Sequence, residues 1–239
     1  MANIAIVFAG GTGTRMNTRS KPKQFLELHG KPILVYTLEV FQHHSEIEGI
    51  ILIVLEQWIS YCRDLIAKYQ LDKVRVITKG GDTAFASQYN GLLKAAEIYP
   101  PESIVLIHDG VRPLIDAGTI SGNIASVKEH GSAITVTPAV ETIMIKSDSG
   151  QIGQIIERSK VEMARAPQSF FLRDILSAHE KARKENLVFI DSASLMQHYG
   201  FTLFPVEGTP ENIKITTPND FYTFRALVDA KESSQIFGY

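Results

Sequence analysis

Apolar residues fall along this chain in two alternating patterns. Residues 4–9 (IAIVFA), 49–55, 74–78, 103–107 and 133–138 are short, continuous runs rich in Ile and Val. Runs of that length and composition predict strands buried on both faces. Between them, apolar positions recur at helical spacing over 32–43, which has Pro32 in its first turn, over 58–69, from the GGD at 80–82 to about 98, and over 118–130. This alternation implies an α/β fold: a mostly parallel sheet, covered by helices on both faces and joined by right-handed crossovers.

The pattern breaks at 142–157, TIMIKSDSGQIGQIIE, where apolar and polar residues alternate around Ser-Asp-Ser-Gly. That predicts a β-hairpin, projecting as an arm over residues 140–160. Beyond it the sequence predicts a helix over 172–184, a short helix N-capped by Asp191, strands at 201–206 and 212–216, and a last helix from 218. No repeat, low-complexity segment or linker interrupts 1–239, so one domain carrying one arm is the expectation.

Composition narrows the function. With 239 residues, 44% hydrophobic and 21% charged, the chain suits one large globular α/β domain. A net charge of -2 argues against a nucleic-acid partner bound through many phosphates. The single Cys62 excludes an internal disulfide and a cysteine-rich zinc site, and fits packing in a reducing cytoplasm. The start, MANIAIVFAGG, has no basic n-region, and the longest aliphatic run, 50–55, is far short of a membrane span. No membrane partner is expected.

Candidate chemistry collects at strand ends. The first strand runs into GGTGTRMNTRSKPK (10–23), with three glycines, two arginines, two lysines and no acidic residue. Neither common phosphate pattern fits. No Lys follows Gly13 as a P-loop requires, and Met16 holds the third glycine position of the dinucleotide fingerprint. Glycine backbone can still approach phosphate oxygens closely, and Arg15 and Lys23 can neutralise a polyphosphate. The plainer reading, a solvated surface turn, loses weight beside three further loops on the same edge: GGD, HDGVRP (108–113) and TPAVET (137–142). In open α/β sheets, ligands sit beyond the carboxyl ends of the strands.

Asp109 ends an apolar strand, and Mg²⁺ is bound typically by one or two carboxylates plus substrate phosphates. Arg112 can hold a second phosphate bidentately, or simply pair with Asp109. Lys214 stands between Ile213 and Ile215, facing either solvent or a site. The histidines lack metal-ligand spacing, and no hydrolase triad motif is present. The residues alone imply a Mg²⁺-dependent enzyme that handles a nucleoside triphosphate and a second phosphate.

The ordered motifs AGGTGTRM, KPKQF, GGD with Ser87, HDGVRP, TPAVETI, ER with APQSF, DSAS and VEGTPENIKIT span about 4–220. Together they resemble the family of methylerythritol-phosphate and ribitol-5-phosphate cytidylyltransferases. The resemblance implies a Rossmann-like fold, a homodimer that exchanges β-arms, and transfer of CMP from CTP to a sugar-alcohol phosphate with Mg²⁺. It places Ala9, Gly10, Gly81, Asp82 and Ser87 on cytosine and ribose, and Gly11, Gly13, Arg15 and Lys23 on the triphosphate. It gives Asp109 to the metal, and sets Arg112, Thr142 and Lys214 around the acceptor phosphate and the α-phosphorus. Arg158 would come from the partner's arm. Arg15, Lys23 and Lys214 would carry the catalysis.

The chain departs from the family pattern at Phe8, Ala84, Gly110 and Ala166; the last stands where a Thr is usual near the acceptor. KPKQFLELHGKPILVYTLE and the EQW around Trp58 look like the branch that activates ribitol 5-phosphate for teichoic acid or capsule. DSASLMQHYG looks like the methylerythritol branch that feeds isoprenoid synthesis, with Ser194-Leu195 where the polyol branch has Cys-Lys. Ribitol 5-phosphate is the favoured acceptor, and methylerythritol 4-phosphate is the alternative. A non-catalytic nucleotide binder would not need Arg15, Lys23, Asp109 and Lys214 together.

Overall fold

A computed structural model describes residues 1–11 and 21–237, the last four by backbone alone. Gly13 and Arg15 lie outside the described residues.

The first half alternates as the pattern predicts: β1 (Asn3–Ala9), a small antiparallel ribbon of β2 (Glu27–Leu28) and β3 (Lys31–Pro32), α1 (Ile33–His43), β4 (Gly49–Val54), α2 (Ile59–Lys68), β5 (Val74–Lys79), α3 (Ala84–Ala96), β6 (Ile104–Asp109), α4 (Ala117–His130) and β7 (Ser132–Pro138). Side chains of a strand point alternately to its two faces, and here both sets are apolar. Ala5, Val7, Leu52 and Val54 join one core cluster with α1, α2 and α4. Ile4, Ile6, Ile51 and Ile53 join the other, with residues of α3 and of the later α5 (Leu172–Lys184) and α6 (Ser192–His198). Local chemistry sets the helix ends. Thr83 caps α3, Asp116 caps α4, Gly131 ends α4 at φ +86°, and Asp191 caps α6 through a capping box.

The hairpin forms as expected, with β8 (Ile143–Lys146) antiparallel to β9 (Ile152–Ile156) in a two-stranded sheet of their own. Val140, Met144, Ile145, Ile152 and Ile155 are exposed on and beside it.

The sequence reading missed β10 (Glu162–Phe171), because Pro167 and the polar residues around it blur the strand pattern. This strand lies between β6 and β7, antiparallel to both, and its register on β7 shifts between Ala164 and Gln168, around the proline. The expected strand at 201–206 shrinks to β11 (Pro205–Glu207), parallel to β7. The expected strand at 212–216 does not form. Its Asn212 and Lys214 side chains bond across to Ala166 and Asp109, and Ile215 N–H donates to Val111 instead of joining a ladder. The chain ends in α7 (Pro218–Phe237), with Phe224 packed on Ile215 and Val111 in a third cluster.

Among the described residues, the main sheet has seven strands in the order β11-β7-β10-β6-β1-β4-β5, all parallel except β10. β1 pairs with β4 on one side and β6 on the other, so the strand order reverses at β1. Its carboxyl end is therefore the crevice where this architecture binds ligands.

Candidate active site

A cleft of about 530 Å³ opens at that point. Its floor is the loop after β1, where Ala9, Gly10 and Gly11 leave backbone exposed to it. The buried Gln24 fixes this loop by donating from Nε2 to the carbonyls of Ala9 at 2.6 Å and Gly11 at 3.2 Å. Sequence reasoning quoted Gln24 in KPKQF without giving it this role. Beside it the Lys23 ammonium enters the cleft wall and donates to the Ile215 carbonyl at 2.9 Å.

The opposite wall is the loop after β5. Ser87 Oγ accepts from Gly81 N–H at 3.0 Å and donates to the Thr83 carbonyl at 2.8 Å, folding GGD back onto the start of α3. A Cβ on Gly81 would stand 2.5 Å from that of Ala86, so only glycine lets this turn pack. Asp82 is exposed on the same wall.

Asp109 marks the inner end of the cleft. Its buried carboxylate accepts from Arg112 Nε on Oδ2 and from Lys214 Nζ on Oδ1, each at 2.8 Å. Burial alone would raise its pKa, but the Lys214 and Arg112 charges and hydrogen bonds outweigh that and hold it below the usual carboxylate range. Arg112 also donates from Nη1 to the Asn212 carbonyl at 2.9 Å, which ties the HDGVRP turn to the segment carrying Lys214. The neighbouring His108 is buried, with its pKa pushed down to about 4 chiefly by desolvation, and its ring meets the Arg112 carbonyl at 3.2 Å.

A second cleft, of about 170 Å³, lies on the far side of Asp109. The two share Phe8, Ala84, Asp109 and Lys214. Arg112, Arg165 and Ala166 line the second cleft, as do Gln168 and Asp191. Asp191 is the helix cap expected from the sequence, but it also accepts from Gln168 Nε2 at 3.1 Å at the cleft edge. Arg165 was missed together with its strand. Thr142 and Arg158 are exposed at the two ends of the hairpin, and neither is among the residues lining these two clefts. Arg158 donates to the Val140 carbonyl there at 3.1 Å. Cys62 is buried away from both clefts, with its thiol pushed up to about 12 by desolvation, so it is packing and not a nucleophile.

The donor set fits a hard divalent cation shared with substrate phosphates. A carboxylate offers about four lone-pair sites, and the two cations on Asp109 use one on each oxygen. One carboxylate oxygen plus phosphates and water is the usual Mg²⁺ arrangement. Among the described residues, the only cluster of three metal-ligating side chains is His29, Asp229 and Glu232, all exposed.

Residues 3–230 match the family model of 2-C-methyl-D-erythritol 4-phosphate cytidylyltransferase, IspD. The chain belongs to this family. This cytidylyltransferase is 48% identical over 237 residues to the ribitol-5-phosphate cytidylyltransferase of Vibrio parahaemolyticus, covering 99% of this chain and 100% of that one. It is 47% identical over 239 residues to the protein of the same name from Streptococcus agalactiae serotype V, with 100% of both chains covered. Identity to the 2-C-methyl-D-erythritol 4-phosphate cytidylyltransferase of Clostridium acetobutylicum is 38% over 227 residues, 95% of this chain and 97% of that one. Among solved structures, the 4-diphosphocytidyl-2C-methyl-D-erythritol synthase of Anaerococcus prevotii superposes with a TM-score of 0.82 at 27% identity, covering 95% of this chain and 96% of that one.

Proposed function

We propose that this cytidylyltransferase joins CTP to ribitol 5-phosphate, giving CDP-ribitol and pyrophosphate. The observation that carries the reading is the meeting of two clefts at Asp109 and Lys214, one large enough for a nucleotide and one small and cationic. The α-phosphorus of CTP would sit at this junction. An oxygen of the acceptor phosphate attacks it in line, forming a new P–O bond while the bond to the β-phosphate oxygen breaks and pyrophosphate leaves. That attacking oxygen is already anionic, so no general base is required. Positioning and charge neutralisation supply the acceleration.

Each residue then has a role. Ala9, Gly10, Gly81, Asp82 and Ser87 frame the base and ribose, with the turns of Gly81 and Ser87 already locked together. Gly11 and Lys23 take the triphosphate, joined by Gly13 and Arg15. Lys214, within reach of both clefts, neutralises the α-phosphate, and Arg112 orients the acceptor phosphate. Asp109 is the protein ligand for Mg²⁺, which supplies Lewis-acid polarisation of the phosphates when bound. The exposed apolar hairpin serves a homodimer, in which the partner subunit completes the acceptor site with Thr142 and Arg158 of its arm. Among the described residues no helix is long and apolar enough to cross a membrane, and the reading places the enzyme in the cytoplasm.

The higher identity to ribitol-5-phosphate cytidylyltransferases supports ribitol 5-phosphate over the methylerythritol phosphate alternative. Pyrophosphate release with each acceptor tests the choice.

A further inference from the structure

Arg165 is unlike the other cations of the acceptor cleft. Arg112 and Lys214 are both anchored on the single carboxylate of Asp109. Arg165 is half-buried on β10, and its one hydrogen bond runs from Nε to Thr137 Oγ1 at 3.2 Å. Among the described residues, no carboxylate pairs with its guanidinium, which leaves both terminal nitrogens without a protein acceptor. The second carboxylate of the cleft, Asp191, is already engaged by Ser194 and Gln168. Two guanidiniums, Arg112 and Arg165, therefore face one small space with an excess of positive charge. Burial, and after it the Arg112 charge, push the Arg165 pKa below its usual value, as expected of a partly buried cation that lacks a carboxylate partner of its own.

We propose that Arg165 is a binding residue for the phosphate of the acceptor, gripping that phosphomonoester opposite Arg112. This rests on the reading of the smaller cleft as the acceptor site. A neutral polyol hydroxyl would leave the Arg165 guanidinium uncompensated, whereas a phosphate dianion neutralises it and accepts the planar donors of both arginines. The triphosphate of CTP is not the partner, because Arg165 lines the second cleft and not the first. The register shift around Pro167 fits this role, since it breaks the strict alternation of the strand just where Ala164, Arg165, Ala166 and Gln168 all border the cleft. The position also bears on specificity. Ala166 offers no hydroxyl to the acceptor, and Arg165 beside it moves recognition toward the phosphate.

The test is steady-state pyrophosphate release by Arg165→Ala and Arg165→Lys, with KM measured separately for CTP and ribitol 5-phosphate and thermal melting as a control. Loss of a charge-assisted contact predicts an acceptor KM about 10- to 100-fold higher in R165A. The CTP KM should stay within about twofold, and R165K should recover part of the loss. An unchanged acceptor KM, or an equal rise in both KM values, overturns the assignment. If R165A does not fold, R165K carries the test: its planar fork is gone but its charge remains, and an acceptor KM equal to wild type overturns the assignment. If the wild-type enzyme does not turn over ribitol 5-phosphate, the functional reading fails by itself. The role of Arg165 is then judged by calorimetric titration with inorganic phosphate: weaker binding in R165A by a similar factor upholds it, and equal binding overturns it.

Discussion

Replacing Lys214 with Ala separates chemistry from folding, because the structure gives the two very different magnitudes. The Lys214 side chain is 42% exposed, and its ion pair with Asp109 at 2.8 Å is one of two on that carboxylate. Solvent screens so exposed a cation, so the pair is worth about 1 kcal/mol or less to stability. Asp109 keeps Arg112 in the variant and is not left as an uncompensated buried charge. For a chain of this size, such a loss lowers Tm by at most about 4 °C. Turnover should respond on another scale. An electrostatic group aimed at charge developing in the transition state contributes about 3–4 kcal/mol, so kcat for pyrophosphate release should fall about 10²- to 10³-fold. The assay is coupled pyrophosphate detection with CTP, Mg²⁺ and ribitol 5-phosphate, beside a melting curve for each protein. Near-normal turnover in Lys214→Ala refutes the catalytic assignment. So does a collapse in Tm large enough to account for the lost activity.

Gln24→Ala should remove the two bonds that pin the loop after β1, raising the CTP KM about tenfold while the acceptor KM stays put; equal CTP KM values in variant and wild type would show that the loop holds itself. His179 predicts a pH dependence. It is buried, stacked on Phe85 at 4.4 Å, with neither ring nitrogen hydrogen-bonded, and its pKa is pushed down to about 4 by desolvation and the nearby Arg183 charge. The unfolded chain takes up this proton first, so stability is fully present above about pH 6.5 and falls as pH drops toward about 4, by roughly 3 kcal/mol. His108 adds to the same slope. Urea unfolding at pH 7, 5 and 4 should show the loss, and His179→Phe should remove roughly half of it; a flat profile, or an unchanged slope in the variant, contradicts the assignment.

The sheet was legible in the sequence where burial was complete. β1, β4 and β6 are buried along their length except at the partly buried Phe8, and their central residues are apolar on both faces, so little blurs their runs. β10 was not legible, because a strand that also lines a polar cleft must carry Arg165, Gln168 and Ser169, and Pro167 breaks its ladder. The segment 212–216 misled for the opposite reason. Its Ile-Lys-Ile alternation is real: Ile215 is buried and Lys214 turns away to Asp109, yet among the described residues its backbone joins no strand's ladder. The site divides along similar lines. Glycine turns and charged strand ends announced the β1, β5 and β6 loops. The tasks of Gln24, Asn212 and Arg165 depend on partners 13 to 100 residues away in the chain, which no local pattern encodes.

The most direct test of the central claim is the ratio of kcat/KM for pyrophosphate release from CTP with ribitol 5-phosphate to that with 2-C-methyl-D-erythritol 4-phosphate, at fixed Mg²⁺. The account predicts a ratio of at least about ten in favour of ribitol 5-phosphate. A ratio below one would assign the enzyme to the methylerythritol substrate, and no release with either acceptor would contradict the cytidylyl transfer itself.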